Sequence, residues 1–287
     1  MRPFEYLAPD SVEDAVVALA ENSPNAKALA GGTDLLVELK HEAASAGLVV
    51  DLTRIAECRG IEESADGLRF GSLVTHTEIM ESDLVRRHAP SMIDAARTIG
   101  AVQTRNLGTL GGNLVTCVPS LDSGPVLVAL DAEVTVAGVG GRRRMPLSEF
   151  FVGPRKTVLQ AGEILVDIII PRANLGKPCS FRKFGLRKGQ ALALVNVAAA
   201  ARLDDGRIAG ARIALGAVAP TIIRARKSEA LLDGKAPDPT LIAEAAETAV
   251  TEAKPIDDFR ASADYRRELI RALTGRVLNE AIEQAAC

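Results

Sequence analysis

Two stretches combine the residue types that can hold an anion. The first is Lys27-Ala28-Leu29-Ala30-Gly31-Gly32-Thr33-Asp34-Leu35 and the second is Arg105-Asn106-Leu107-Gly108-Thr109-Leu110-Gly111-Gly112-Asn113. Each carries a Gly-Gly pair next to polar side chains. Such a pair lets the chain take conformations closed to other residues, and lets backbone N–H groups approach an anion with no Cβ in the way. Thr33, Thr109 and Asn113 add side-chain donors, and Asp34 accepts a hydroxyl or caps a following helix. A single Gly-Gly pair makes only a bend. Two of matching form point to one ligand between them, and we expect that ligand to carry a pyrophosphate. Neither stretch is a GxGxxG fingerprint, and no GK[ST] follows either, so Rossmann and P-loop readings are excluded.

Other chemistry-bearing residues are sparse. The four cysteines stand at 58, 117, 179 and 287, with no CxxC among them. That spacing argues against a zinc or iron–sulfur site within the chain. Cys117 reads as a small buried residue, since no base lies near it in sequence. The histidines are His41, His76 and His88, without HxH or HExxH spacing; His76, in a hydroxyl-rich segment, reads as a surface residue, with contact to a ligand as the alternative. Asp122 follows Pro119 in a polar segment and reads as turn chemistry. Arg142-Arg143-Arg144 reads as a solvated turn.

The elements that must position these residues follow from periodicity. Ser11-Val12-Glu13-Asp14 resembles a capping box, followed by apolar residues at helical spacing. Lys27–Ala30 is a short strand entering the first Gly-Gly turn, and Thr33 caps the helix after it. Strand, glycine turn and helix N-terminus together make an anion site. Leu48–Leu52, Leu68–Leu73 and Glu163–Pro171 read as strands. Ser91–Ile99 and Val126–Leu130 read as helices, and Glu133–Ala137 as a further strand. Beyond Arg172–Pro178 the composition shifts, and we expect a domain boundary. Strands at Phe181–Leu186, Ala191–Leu203 and Arg212–Ala217 form an antiparallel meander, with Asp204-Asp205-Gly206 as a hairpin turn. Helices follow at Ser228–Leu232, Pro239–Ala253 and Ser262–Ala285, the last with Tyr265, Leu269, Leu273 and Val277 on one side.

Composition sets the outer bounds. The chain has 287 residues, 47% of them apolar but only 3% aromatic, so its core is aliphatic. The net charge of -3 argues against a nucleic-acid binder. With no signal peptide and no long apolar run, we expect a cytoplasmic protein without a transmembrane segment.

In this order and spacing the motifs resemble a known family, the FAD-binding medium subunit of the molybdenum hydroxylases, which include xanthine dehydrogenase and carbon monoxide dehydrogenase. The resemblance runs over essentially the whole chain. It rests on Ala30-Gly31-Gly32-Thr33-Asp34, on Arg105-Asn106-x-Gly-Thr-Leu-Gly-Gly-Asn113 and on Pro119-Ser120-Leu121-Asp122. It continues through Gly162-Glu163-Ile164-Leu165 with Pro171, Phe181-x-Lys183-x3-Arg187, Ala219-Pro220-Thr221-x-x-Arg224-Ala225 and Arg260-Ala261-Ser262-x-x-Tyr265-Arg266.

The resemblance implies an α+β fold: a two-part FAD-binding domain of the vanillyl-alcohol-oxidase type over 1–172, with parts at about 1–55 and 56–172. A C-terminal domain over 173–287 would hold a three-stranded antiparallel sheet with helices. It implies FAD extended in the cleft between the two parts. Lys27, Leu29, Ala30, Gly31, Gly32, Thr33, Asp34 and Leu35 would face Thr109, Gly111, Gly112 and Asn113 across the pyrophosphate and ribitol. Asp122 would lie on the adenosine side, with Ile99, Thr104 and Gly108 as groove walls and Leu165 as an apolar contact. Lys183 would reach the flavin, where its charge favours a reduced anionic form. No residue is implied as a catalytic acid or base, and no metal ligand.

The implied activity is electron transfer within an oxidoreductase. A large partner subunit would hold molybdenum on molybdopterin, and a small one two 2Fe–2S clusters, the whole forming a dimer of heterotrimers. The Gly-Gly-Asn and Pro-Ser-Leu-Asp spelling leans toward the purine-oxidising branch, with carbon monoxide, aldehydes and N-heterocycles as alternatives. One departure bears on the acceptor. Animal xanthine dehydrogenases carry an acidic cluster after the Lys-x3-Arg motif, whereas Lys188-Gly189-Gln190-Ala191 stand here. NAD, quinone, oxygen and other carriers therefore all stay open.

Overall fold

The computed structural model describes residues 1–286. Three main sheets organise them. The first is parallel, with Leu48–Asp51 between Glu5–Leu7 and Ala26–Leu29. Val49 and Val50 in its centre are fully buried, as a strand covered on both faces requires. Helix Val12–Glu21 makes the first crossover. Ser11 caps it, its Oγ accepting the Asp14 N–H, as the sequence predicts.

The second sheet is antiparallel, with Ile164–Pro171 central, Gly67–Gly71 on one side and Glu133–Gly138 on the other. Seven of the eight residues in the central strand are buried, which is why its sequence is apolar except for Asp167, whose carboxylate pairs with Arg69 at 3.0 Å. Gly141–Pro146 forms one edge, and it contains Arg142 to Arg144. The arginines are therefore on a strand, not a turn. Arg142 pairs with Glu13 and Glu57, Arg143 with Glu163, and Arg144 with Asp66. Cationic side chains along an edge also discourage pairing with another chain.

The third sheet is the predicted meander, Cys179–Gly185, Ala193–Asp204 and Arg207–Gly216, extended by the two-residue strand Ile223–Arg224. Asp205 and Gly206 both take positive φ at its hairpin, at 46° and 73°, the geometry that twisted strands favour in a two-residue turn. The long central strand has a different core on each face. Val195, Val197, Ala199 and Ala201 pack with helices Pro239–Glu252 and Ala263–Ala286. Ala198 and Ala200 pack into the core of the preceding half of the chain. Asn196 lies on that second face, fully buried. In the last helix the buried stripe runs through Arg266, Leu269, Leu273 and Val277, and Tyr265 is 45% exposed. Arg266 takes the place expected for tyrosine, because its guanidinium bonds the Leu194 carbonyl at 2.6 Å and Asp258 at 2.9 Å.

Cys58, Cys117 and Cys179 are buried free thiols, and burial pushes each above the ordinary thiol range, Cys179 to about 11. Among the described residues no helix is long and apolar enough to cross a membrane.

Candidate functional site

A cleft of about 450 Å³ lies where the first two sheets meet, a volume within the roughly 300–1,000 Å³ usual for cofactor sites. It opens at the carboxyl end of strand Ala26–Leu29, where parallel sheets place their ligands. Ala30 through Leu35 form one wall. Gly108, Thr109 and Gly111–Asn113 form another, with Ile99, Thr104, Asp122 and Leu165 completing the expected set. Lys27, Leu29 and Lys183 do not line it. Lys27 points outward on the strand, and Leu29 packs beneath Gly32, its Cδ1 lying 3.3 Å from where a Cβ would stand.

The glycines act differently from one another. A Cβ on Gly31 would lie 1.8 Å from the Leu107 carbonyl oxygen, so the first turn rests directly on the backbone of the second segment. Gly32 has φ +72°, the left-handed region that glycine enters without cost. The N–H groups of Gly31, Gly32 and Thr33 meet no main-chain carbonyl among the described residues. They are the unpaired donors that an anion would satisfy.

The second Gly-Gly pair is not a turn. It lies in the first turn of helix Leu110–Thr116, which Thr109 caps by accepting the Gly112 N–H at 3.0 Å. The Gly111 N–H goes to the Ser72 carbonyl at 2.8 Å. These N–H groups are thus taken up by the protein, and the segment supplies a wall without side chains. A Cβ on Gly111 would meet Ser72 at 2.6 Å; one on Gly112 would touch only Thr109 Oγ1, at 2.9 Å. Thr33 caps nothing either. Helix Leu35–Lys40 begins after Asp34, which makes no side-chain cap and instead accepts from Thr116 Oγ1 at 3.4 Å. Asn113 accepts the Ser123 hydroxyl at 2.6 Å.

Behind the wall is a buried ion pair. The resemblance puts Lys183 at the flavin. In the fold its side chain is 7% exposed, and its Nζ reaches Asp122 Oδ2 at 2.5 Å and the Thr98 carbonyl at 3.0 Å. Lys183 and Asn196 are cross-strand neighbours, so both reach from the third sheet toward Asp122. Asn196 donates to Asp122 Oδ1 at 2.8 Å and to the Leu121 carbonyl at 3.1 Å. Burial raises the Asp122 carboxyl above its ordinary value, while Lys183 and Asn196 oppose the shift. Asp122 is thus both a cleft residue and the anchor of the C-terminal sheet.

His76 corrects a sequence expectation. It is 2% exposed and lines the cleft, where burial, reinforced by Arg105, lowers its imidazole to about 4. It opens helix His76–Glu81 through a full capping box: Thr75 Oγ1 accepts the Glu78 N–H, and Glu78 accepts the Thr75 N–H at 2.7 Å. Thr75→Ala is expected to cost about 1 kcal/mol of stability, read by denaturant unfolding; an unchanged midpoint would mean that the box does not hold this turn. Sequence reasoning also missed Ser72, Gly100 and the segment Gln190–Leu192, all of which line the cleft. The Gln190 N–H reaches the Gly100 carbonyl at 3.1 Å. The capping-box spelling at Thr75-x-x-Glu78 was the one local signal for His76.

With this geometry in hand, comparison with known proteins is direct. Residues 2–173 match the family described as the FAD binding domain in molybdopterin dehydrogenase. Residues 180–281 match the CO dehydrogenase flavoprotein C-terminal domain. The chain is 34% identical to the xanthine dehydrogenase FAD-binding subunit of Escherichia coli O157:H7, over 96% of this chain and 94% of that one. It is 36% identical to the nicotine 6-hydroxylase medium subunit of Paenarthrobacter nicotinovorans, over 97% of both. It superposes on a chain of carbon monoxide dehydrogenase from Hydrogenophaga pseudoflava with a TM-score of 0.95 and 34% identity, covering 99% of each. The chain, with its two Gly-rich segments meeting in one cleft, therefore belongs to the FAD-binding medium subunits of the molybdenum hydroxylases.

Proposed function

We propose that this chain carries FAD in the cleft and passes electrons from the 2Fe–2S clusters of a small partner subunit to an external acceptor. The observation that carries the reading is that Gly31, Gly32 and Thr33, whose N–H groups meet no main-chain carbonyl among the described residues, line the same cleft as Gly112, which is open on that side. That pairing fits an anionic linker: donors on one side, close approach on the other. Ala30 through Leu35, Thr109 and Gly111–Asn113 would hold the pyrophosphate and ribitol. Asp122 would serve the adenosine side, and Ile99, Thr104, Gly108 and Leu165 the walls. Lys27, Leu29 and Lys183 would act from behind them. When bound, the flavin exchanges electrons singly or in pairs and so links one-electron clusters to a two-electron acceptor. The chain's own residues position it and keep water from its inner face.

The same reading supplies the partners. A large subunit with molybdenum on molybdopterin would oxidise the substrate, and the assembly would be a cytoplasmic dimer of heterotrimers. The substrate is read by the large subunit, and the purine class is the one we favour on the spelling of Gly111-Gly112-Asn113 and Pro119-Ser120-Leu121-Asp122. The test is anaerobic reduction followed at the flavin absorbance bands. The isolated chain with FAD is expected to be bleached by dithionite but not by xanthine, nicotine or an aldehyde. With both partner chains present, one of these substrates should bleach it. Reduction of the isolated chain by an organic substrate would instead identify a free-standing flavin oxidoreductase.

A further inference from the structure

His76 is a buried polar side chain in the cleft that the proposed function leaves unused. It is 2% exposed, and its Nδ1 has no hydrogen-bond partner among the described residues. Buried polar atoms without partners are uncommon, because the water bonds lost on folding are not returned. Nδ1 is closed to the cleft as well as to water, so the ring edge open to a ligand is that of Nε2, beside the Cδ2 that borders Gly108 on the cleft wall. The imidazole is also held firmly. The capping box at Thr75 and Glu78 fixes the helix start, and the His76 N–H donates to the Gly108 carbonyl at 3.1 Å. Thr75 and Thr109 form an antiparallel bridge. The Cδ2 edge of the ring stands 3.5 Å from where a Cβ on Gly108 would be. The ring is therefore packed directly against the second Gly-rich segment.

We infer that His76 contacts the cofactor directly, its imidazole hydrogen-bonding a hydroxyl of the ribityl chain, an assignment that rests on the reading of the cleft as the FAD site. The choice of hydroxyl over phosphate follows from charge. Burial and the Arg105 guanidinium hold the imidazole at about 4, so at neutral pH it offers one N–H and one lone pair. A diphosphate only accepts and would favour a charged ring. A hydroxyl both donates and accepts, and suits Nε2 in either tautomer. Arg105 is itself turned away, its guanidinium on the Ile99 carbonyl at 3.0 Å.

The test uses the full chain with nitrogen-15 in its histidines. The sequence has three histidines in all. His41 is exposed, and His88 pairs with Glu63 at 3.0 Å. On adding FAD, the His76 ring-nitrogen resonances are expected to move while those of His41 and His88 hold. ADP has the diphosphate without the ribityl chain and is expected to leave His76 in place. His76→Phe should bind FAD about tenfold more weakly, the scale of one neutral hydrogen bond, and His76→Gln should recover part of that loss. Resonances that stay put with FAD bound, or that move equally with ADP, would overturn the assignment while the cleft reading stood. A native chain that takes up no FAD would remove both.

Discussion

A Gly112→Val chain will fold and bind FAD at least about 100-fold more weakly than the native chain, roughly 2.8 kcal/mol at about 1.4 kcal/mol per tenfold. The other three glycines of the two Gly-Gly pairs cannot make this test. A side chain on Gly31 would collide with the Leu107 carbonyl, one on Gly111 would collide with Ser72, and Gly32 has positive φ. Substitutions there damage the fold as well as the site. Gly112 differs: its Cβ would touch only Thr109 Oγ1 and otherwise enter the cleft. Loosening the Thr109 cap costs about 1 kcal/mol, and the better helix propensity of valine returns a few tenths of a kcal/mol. Apo stability should therefore change little while the cofactor is lost. Flavin content, read by absorbance after purification and by fluorescence titration of the apo-chain, decides the matter. Full flavin in a folded Gly112→Val chain would end the role assigned to this wall.

Lys183→Met is expected to destabilise the chain by about 3 kcal/mol at neutral pH, the lower end of the cost of stripping one partner from a buried pair. Protonation of Asp122 and the remaining Asn196 bond keep it at that end. The effect should depend on pH. Burial already holds the Asp122 carboxyl above its ordinary value. The native state thus binds that proton more tightly than the unfolded chain, and stability from this group falls as pH rises through the folded-state value. Without the Lys183 ammonium that value rises further. The penalty should be smallest near pH ~4, where the unfolded carboxyl also titrates, and grow toward neutrality. Asp122→Asn combined with Lys183→Met removes both charges and should restore at least half of the loss. A penalty that ignores pH, or a double variant no better than Lys183→Met, would show that the pair does not anchor the sheet.

Much of the fold was legible wherever burial imposes a period. The runs at Leu48–Asp51 and Ile164–Pro171, the Asp205-Gly206 hairpin and the Ser11 cap all carry their structure in local residue types. What failed is where a distant partner decides. Arg142 to Arg144 look like a solvated turn because the carboxylates that pair with them, such as Glu57 and Glu163, are far away in sequence. The pair Gly111-Gly112 looks like a bend because glycine is a poor helix former, yet the Thr109 cap and the Ser72 carbonyl start a helix there. His76 and Tyr265 were misplaced in opposite directions, since a single polar residue does not reveal which side of a helix is covered. The two Gly-rich stretches do line one cleft, but Ser72, His76, Gly100 and Gln190–Leu192 on its walls lie outside them. The division of labour between them, donors on one and bare wall on the other, depends on hydrogen bonds that no spacing encodes.

The three buried thiols bear on durability. The thiolate is the form that oxidants attack, and Cys58, Cys117 and Cys179 are shielded from solvent and disfavoured as thiolates. A flavoprotein that leaks peroxide during turnover would, among its described residues, meet no ready thiolate of its own. Oxidative ageing should then begin at exposed thioethers such as that of Met1, which is 55% exposed.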